Sequence, residues 1–185
     1  MKELFEAVRA GDLARVQTLV DADPALAIFA ASMLGDVLRL EELLAGNASL
    51  ITAVSTDGWT PLHLAAFFGK SDAARLLLDK GASVTARSTN AMANTPLHAA
   101  AAGQNAEIVT LLLEHGAHAN AQQSGGWTAL HSAAQNGDLE SARALLAGGA
   151  DVSARAENHQ KPLDLALTKG RQAMVDFLEA IGAKL

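Results

Sequence analysis

Short blocks of apolar and small residues, each barely two helical turns long, alternate with polar, glycine-bearing stretches along the whole chain. Leu62-His63-Leu64-Ala65-Ala66-Phe67-Phe68 is one such block, and Leu76-Leu77-Leu78 follows it after a glycine. The second block of each pair returns as Leu111-Leu112-Leu113, Leu145-Leu146 and Phe177-Leu178. Each block predicts a short helix, and each pair predicts two helices joined by a tight turn. No uncharged run approaches the roughly 20 apolar residues that cross a bilayer. The pattern is that of a soluble chain without a membrane span.

The blocks keep one phase. Thr60-Pro61-Leu62-His63 recurs as Thr95-Pro96-Leu97-His98, as Thr128-Ala129-Leu130-His131 and, decayed, as Lys161-Pro162-Leu163-Asp164, in steps of 35, 33 and 33 residues. Gly69, Gln104, Gly137 and Gly170 stand at matching places behind these tetrapeptides, and Gly81, Gly116, Gly149 and Gly182 stand at matching places farther on. Upstream, Gly35 keeps the phase without the tetrapeptide, and Leu4 to Val20 repeats the paired rhythm in truncated form. A Thr oxygen caps a helix start, and Pro at the next position loses no hydrogen bond. Glycine ends a helix in the left-handed conformation without Cβ strain. At the fourth unit Gln104 either takes that conformation at a cost, or the turn shifts to Gly103.

Four phased copies of one motif resemble the ankyrin-repeat family, whose period is about 33 residues and whose signature is T-P-L-H-x-A. The resemblance implies an all-α solenoid of stacked helix-turn-helix units with short β-hairpin loops. It divides the chain as one domain into approximate units 1–24, 25–54, 55–87, 88–122, 123–155 and 156–185. Two short helices bury little surface alone, so each unit depends on its neighbours. The first unit passes through Asp23-Pro24 with no room for a hairpin and reads as a cap. The last carries Lys161 and Asp164 in place of Thr and His and reads as the other cap, with Glu179 and Lys184 facing water. The loop before Thr95 is the longest, so Ser88 to Asn94 is expected to be the most protruding and mobile finger.

Composition narrows the chemistry. Twenty acidic residues against 14 basic ones leave a formal charge of −6, which argues against nucleic-acid binding, since that affinity comes from clustered Lys and Arg. The acid-bearing start, Met1-Lys2-Glu3-Leu4-Phe5-Glu6, lacks the basic and apolar regions of an export signal. There is no cysteine, hence no disulfide or thiolate chemistry, which suits a reducing compartment. A cytoplasmic monomer without cofactor or metal is expected.

Catalysis needs a convergent nucleophile, base and oxyanion donors, and no motif here supplies them. His63, His98 and His131 share one repeat position, so they are expected to tie each helix start to an adjacent loop rather than to react. His115 and His118 have a spacing that could hold a metal on a continuous helix, but Gly116 between them should break it. Ser124-Gly125-Gly126 precedes Trp127-Thr128 and reads as a loop tip, not a phosphate cradle. Asn120 matches the position at which some members of the resembled family are hydroxylated; its ordinary reading is a hydrogen-bonded turn residue.

The resemblance also implies where a protein partner lies: along the concave side, against loop tips and the ends of the first helices. Carried over position by position, the residues before the helix cap are Trp59, Asn94, Trp127 and Gln160. Those before the inter-helix turn are Met33 and Leu34, Phe67 and Phe68, Ala102 and Gly103, Gln135 and Asn136, and Thr168 and Lys169. The tips include Thr56, Asp57, Met92, Ser124 and Asn158. Met33, Leu34, Phe67, Phe68 and Trp59 together have the composition of a binding hot spot, with Ala102-Gly103 as a notch beside them. Two other arrangements stay open: one residue of each apolar pair turns into the core, or the truncated first unit folds over the patch. The implied function is a non-enzymatic protein-protein interaction module. The alternatives are a self-associating scaffold or a small metal-binding or enzymatic protein built on His115 and His118.

Overall fold

The computed structural model describes residues 1–183, so the expectation for Lys184 lies outside the described residues. Among the described residues twelve α-helices follow one another in pairs: α1 (Lys2–Ala10) with α2 (Leu13–Ala22), α3 (Ala27–Leu34) with α4 (Val37–Gly46), and α5 (Pro61–Phe67) with α6 (Ser71–Asp79). Then come α7 (Pro96–Ala102) with α8 (Ala106–Glu114), α9 (Ala129–Asn136) with α10 (Leu139–Ala147), and α11 (Pro162–Thr168) with α12 (Gln172–Ala180). The first helices stack in a row, α3 on α5, α5 on α7, α7 on α9 and α9 on α11. The second helices form an outer row behind them.

Small side chains allow the stacking. Ala65, Ala66, Ala99, Ala100, Ala133 and Ala134 are wholly buried, and their size lets neighbouring backbones approach. Leu62, Leu97, Leu130 and Leu163 fill one repeated layer, and Leu77, Leu112, Leu145 and Leu178 fill the layer between the two rows. Buried together they make one continuous core instead of a separate core for each unit.

Each motif histidine carries two structural bonds. In all three copies the Thr backbone N–H donates to the histidine Nδ1, at 3.4 Å for Thr60, 3.3 Å for Thr95 and 3.1 Å for Thr128. The Thr Oγ1 also lies within 2.9 Å of that nitrogen. A nitrogen that accepts a backbone N–H carries no proton, so Nε2 holds the only one. That Nε2–H donates to a carbonyl of the next loop: His63 to Asn94 at 3.0 Å, His98 to Trp127 at 3.1 Å and His131 to Gln160 at 3.1 Å. The expected tie between helix start and adjacent loop is therefore a neutral imidazole bridging consecutive units. In the last unit Asp164 takes over part of the role, its Oδ2 accepting the Lys161 backbone N–H at 2.7 Å.

The loops project as fingers, each closed by a backbone bond: Ser55 to Trp59, Ser88 to Asn94, Gln123 to Trp127 and Ala156 to Gln160. Neighbouring fingers are joined by Thr89 N–H to the Gly58 carbonyl, Ser124 N–H to Met92 and Glu157 N–H to Gly125, at 2.8 to 2.9 Å. These pairings are too short to form strands, and the described residues contain none; the hairpins of the resemblance are reduced to turns. The finger from Ser88 to Asn94 is tied to its neighbours. Its two extra residues are spent on contacts: Arg87 donates to the Ala93 and Gln122 carbonyls, Asn90 donates to the Asp57 carbonyl, and the Ser88 hydroxyl accepts from the Asn94 N–H.

At the fourth inter-helix turn Gln104 itself adopts the left-handed conformation, with φ of 60°. The glycine sits one residue earlier because a Cβ on Gly103 would lie 2.2 Å from the Phe67 carbonyl oxygen. The exchange of glycine and glutamine thus trades a strained turn for a close approach between units.

Two outcomes follow from these features. Gly103→Ala should lower stability by about 2 kcal/mol through overpacking, whereas Gln104→Gly should raise it by roughly 0.5 to 1 kcal/mol, strain relief less the entropy of glycine; urea unfolding at neutral pH reads both. Burial lowers His63 and His98 from the ordinary 6.5 to about 4, and lowers His131 in the same direction. The unfolded chain then binds protons that the folded chain refuses, so stability is complete above 6.5 and is lost as pH falls towards 4. His63 and His98 should each contribute a loss of about 3 kcal/mol across that window, visible as a steep fall in the thermal midpoint.

Candidate partner-binding groove

The inter-helix turns determine what the concave side presents. Asp12, Asp36 and Asp138 cap the second helices of their units, accepting from the backbone N–H of Arg15, Arg39 and Ser141. Units three, four and six carry Lys70, Asn105 and Arg171 at that place, and none of them caps its helix. Each reaches back over the preceding unit instead. The Lys70 stem lies over Gly35, where an added Cβ would meet its Cδ at 3.0 Å, and Arg171 lies over Gly137 in the same way. Asn105 donates to the Ala66 and Phe67 carbonyls at 2.8 and 3.0 Å, satisfying the last carbonyls of α5.

Between α1 and the ends of α3, α5 and α7 lies an open groove of about 520 Å³. Val8, Leu34, Phe67 and Phe68 form its apolar walls, and Ala102 and Gly103 form the low side. The expected notch beside the apolar patch is present, because Gly103 brings α7 close to the Phe67 carbonyl. Arg9, Lys70 and Asn105 add polar lining, and the buried Met33 lies at the base of the groove.

An aromatic cluster supports this groove. Phe67 meets Trp59 edge-on at 5.3 Å and Phe68 at 5.5 Å between ring centres. Phe5 of α1 reaches across to Trp59 at 6.2 Å and to Phe68 at 5.2 Å. The truncated first unit therefore does fold against the patch and leaves Trp59, Phe67 and Phe68 half-buried. It does not close it: Val8 and Arg9 of α1 line the open groove together with Phe67 and Phe68, the Arg9 guanidinium standing 5.7 Å from the Phe67 ring centre, a cation-π distance.

The other sequence-derived positions are placed differently. Met33 is fully buried and belongs to the core floor rather than the surface, since α3 is buried over most of its length; of that pair only Leu34 is partly exposed. Asn94 is also buried. Its carbonyl accepts from His63 and its N–H donates to Ser88, so it holds the finger and presents no side chain to a partner. Met92 is half-exposed at a finger tip. The Trp127 ring packs on His131 at 5.7 Å, and Gln160 lends its carbonyl to that same histidine while its side chain accepts from Asn158. Gln135 accepts from Arg171, Asn136 donates at 3.4 Å to the Ala101 and Ala102 carbonyls, and Lys169 is exposed. Leu34, Phe67 and Phe68 share the groove and Trp59 packs against Phe67; Met92, Trp127, Gln135, Asn136, Gln160 and Lys169 are not among its lining residues.

Val8, Arg9, Lys70 and Asn105 were not anticipated. Lys70 and Asn105 stand immediately behind the inter-helix positions Gly69 and Gln104, so extending the carry-over by two residues, past the turn position, finds them. Arg9 sits in a unit that carries no motif and gives no such signal. Elsewhere, Gly116 with φ of 87° ends the turn after α8 and separates His115 from His118, and His115 Nδ1 bonds to the Leu111 carbonyl at 2.8 Å. Asn120 accepts from the Asp151 N–H and donates to the Gly149 carbonyl, the behaviour of a turn asparagine joining two units. Among the described residues no three His, Cys, Asp or Glu side chains are grouped to hold a metal.

Known proteins match the same architecture. The family model "Ankyrin repeats (3 copies)" matches residues 4–88 and again 85–156. The tyrosine-protein kinase HTK16 of Hydra vulgaris is 31% identical over 129 residues, 70% of this chain and 17% of that protein. Ankyrin repeat and SAM domain-containing protein 6 of Rattus norvegicus is 35% identical over 141 residues, 76% of this chain and 12% of that protein. The 2-5A-dependent ribonuclease of Mus musculus is 39% identical over 74 residues, 40% of this chain and 10% of that protein. The chain thus spans less than a fifth of each of these relatives, and the likeness is to a part of them. With the phased Thr-Pro-Leu-His starts, the histidine bridges and the stacked helix pairs already in place, the match over most of the length has one meaning: this chain belongs to the ankyrin-repeat family.

Proposed function

We propose that this chain is a non-enzymatic protein-binding module that takes a protein partner along its concave side, chiefly in the groove between α1, α5 and α7. Ankyrin repeats generally mediate protein-protein interaction, and the observation that carries the reading here is the open groove with apolar walls. Apolar surface that is ordered, concave and partly wet gains free energy when a partner covers it. Phe67, Phe68, Leu34 and Trp59 are the anchoring side chains in this reading, and Met92, Trp127, Gln135, Asn136, Gln160 and Lys169 make the polar and peripheral contacts.

The imidazoles of His63, His98 and His131 are committed on both nitrogens to the scaffold, which leaves them no free nitrogen for proton transfer and supports the non-enzymatic reading. A monomer in the cytoplasm is the accompanying proposal, the location resting on the cysteine-free composition.

Ala102 is the position for a test, since it is exposed at the low side of the groove. Protein fragments selected from a displayed library on the native chain should bind Ala102→Glu at least about tenfold more weakly, the effect of placing a charge against an apolar anchor, with the helical circular dichroism unchanged. Fragments that bind the native chain and this variant equally would remove the groove as the site.

A further inference from the structure

The charge lining the groove differs from that of the chain around it. The whole sequence carries 20 acidic residues against 14 basic ones, yet the groove is lined by two cations, Arg9 and Lys70, and by no carboxylate. Two surface cations spend their charge on carboxylates, Arg15 on Glu3 and Arg39 on Glu42. Arg9 and Lys70 have neither an ion pair nor a side-chain hydrogen bond to another described residue. Their stems are nevertheless placed. Lys70 packs over Gly35, and the Arg9 guanidinium stands over the Phe67 ring at 5.7 Å.

Two cations with placed stems, one of them stacked on Phe67, flank a groove that also presents Phe67, Phe68 and Leu34. Both heads remain available to accept a charged ligand, and some of the side-chain entropy of doing so is already lost. Arg in addition offers several fixed N–H donors suited to a carboxylate. The Phe67, Phe68 and Leu34 walls set a second requirement, an apolar group between the charges. Inorganic anions and nucleic-acid phosphates fail it, and the chain's formal charge of −6 disfavours an extended polyanion.

We propose that the groove between α1, α5 and α7 takes a short acidic peptide segment, an aromatic or aliphatic anchor against Phe67, Phe68 and Leu34 flanked by carboxylates on Arg9 and Lys70. This rests on the protein-binding reading of the same groove and names the chemistry of its partner. Association should be steered by the local positive charge and should weaken with salt, since exposed pairs are screened beyond about 10 Å at 0.1 M ionic strength.

A random octapeptide library displayed on phage, selected on the full chain at low ionic strength, tests this. Enriched sequences should join a large apolar residue to Asp or Glu on at least one side. Synthetic copies should lose about threefold to fivefold in affinity to Arg9→Gln and to Lys70→Gln, the size of a partly exposed ion pair, and at least about tenfold to Ala102→Glu. Replacing the peptide's acids by amides should remove the sensitivity to the first two variants and keep the sensitivity to the third. Neutral or basic peptides that still depend on Ala102 would overturn the acidic assignment while leaving the groove as a binding site. Peptides indifferent to all three variants would overturn both. Failure to enrich any sequence, or a chain that sediments as a dimer broken by the same three variants, would overturn the acidic-peptide assignment.

Discussion

A neutral imidazole with both nitrogens engaged is the interaction on which this structure depends. Helix pairs this short do not bury enough surface to stand alone, so the contacts between units decide whether the chain folds. Stacked alanines and leucines supply most of the attraction but little direction. The histidines supply the direction: Nδ1 accepts at the start of one unit's helix and Nε2 donates into the finger of the next. One side chain thereby fixes the helix start, the position of the following finger and the spacing between them. Protonation would turn the Nδ1 acceptor into a donor facing a donor, and burial resists it.

The groove is a consequence of departures from this regular scheme. Where an aspartate caps the second helix, the turn is self-contained, as at Asp36 and Asp138. Lys70 and Asn105 give up that cap and lie over the preceding unit, which carries an amide and a cation onto the concave side. Gly103 brings α7 close to α5, and the truncated first unit, free of a finger before α3, lets Phe5 reach Trp59 and Phe68. The apolar walls, the notch and the positive rim thus share a cause: the first four units are the least uniform part of the array.

Much of this was legible in the residues because it repeats. Thr60, Thr95 and Thr128 announce helix starts by their spacing, and the shared place of His63, His98 and His131 announces a shared structural task. What did not repeat was harder to read. Nothing in Met33-Leu34 says which side chain turns inward; neighbouring helix positions differ by about 100°, and the packing of α3 decides. Asn94 stands before its helix cap as Trp59 does, but its finger is longer, its backbone N–H is tied to the Ser88 hydroxyl and its side chain is buried. The glycine-for-glutamine exchange at 103 and 104 is visible as an anomaly, while its reason, the Phe67 carbonyl, lies a whole unit away. Arg9 had no motif to mark it.

Nitrogen-15 NMR of the histidine side chains, followed from neutral pH downward, is the most direct measurement. His63 and His98 should show the Nε2–H tautomer and hold it well below the ordinary 6.5, towards about 4, and His131 should titrate below its ordinary value as well. Imidazoles that titrate freely near 6.5, or that carry the proton on Nδ1 in the folded chain, would contradict the bridge between units.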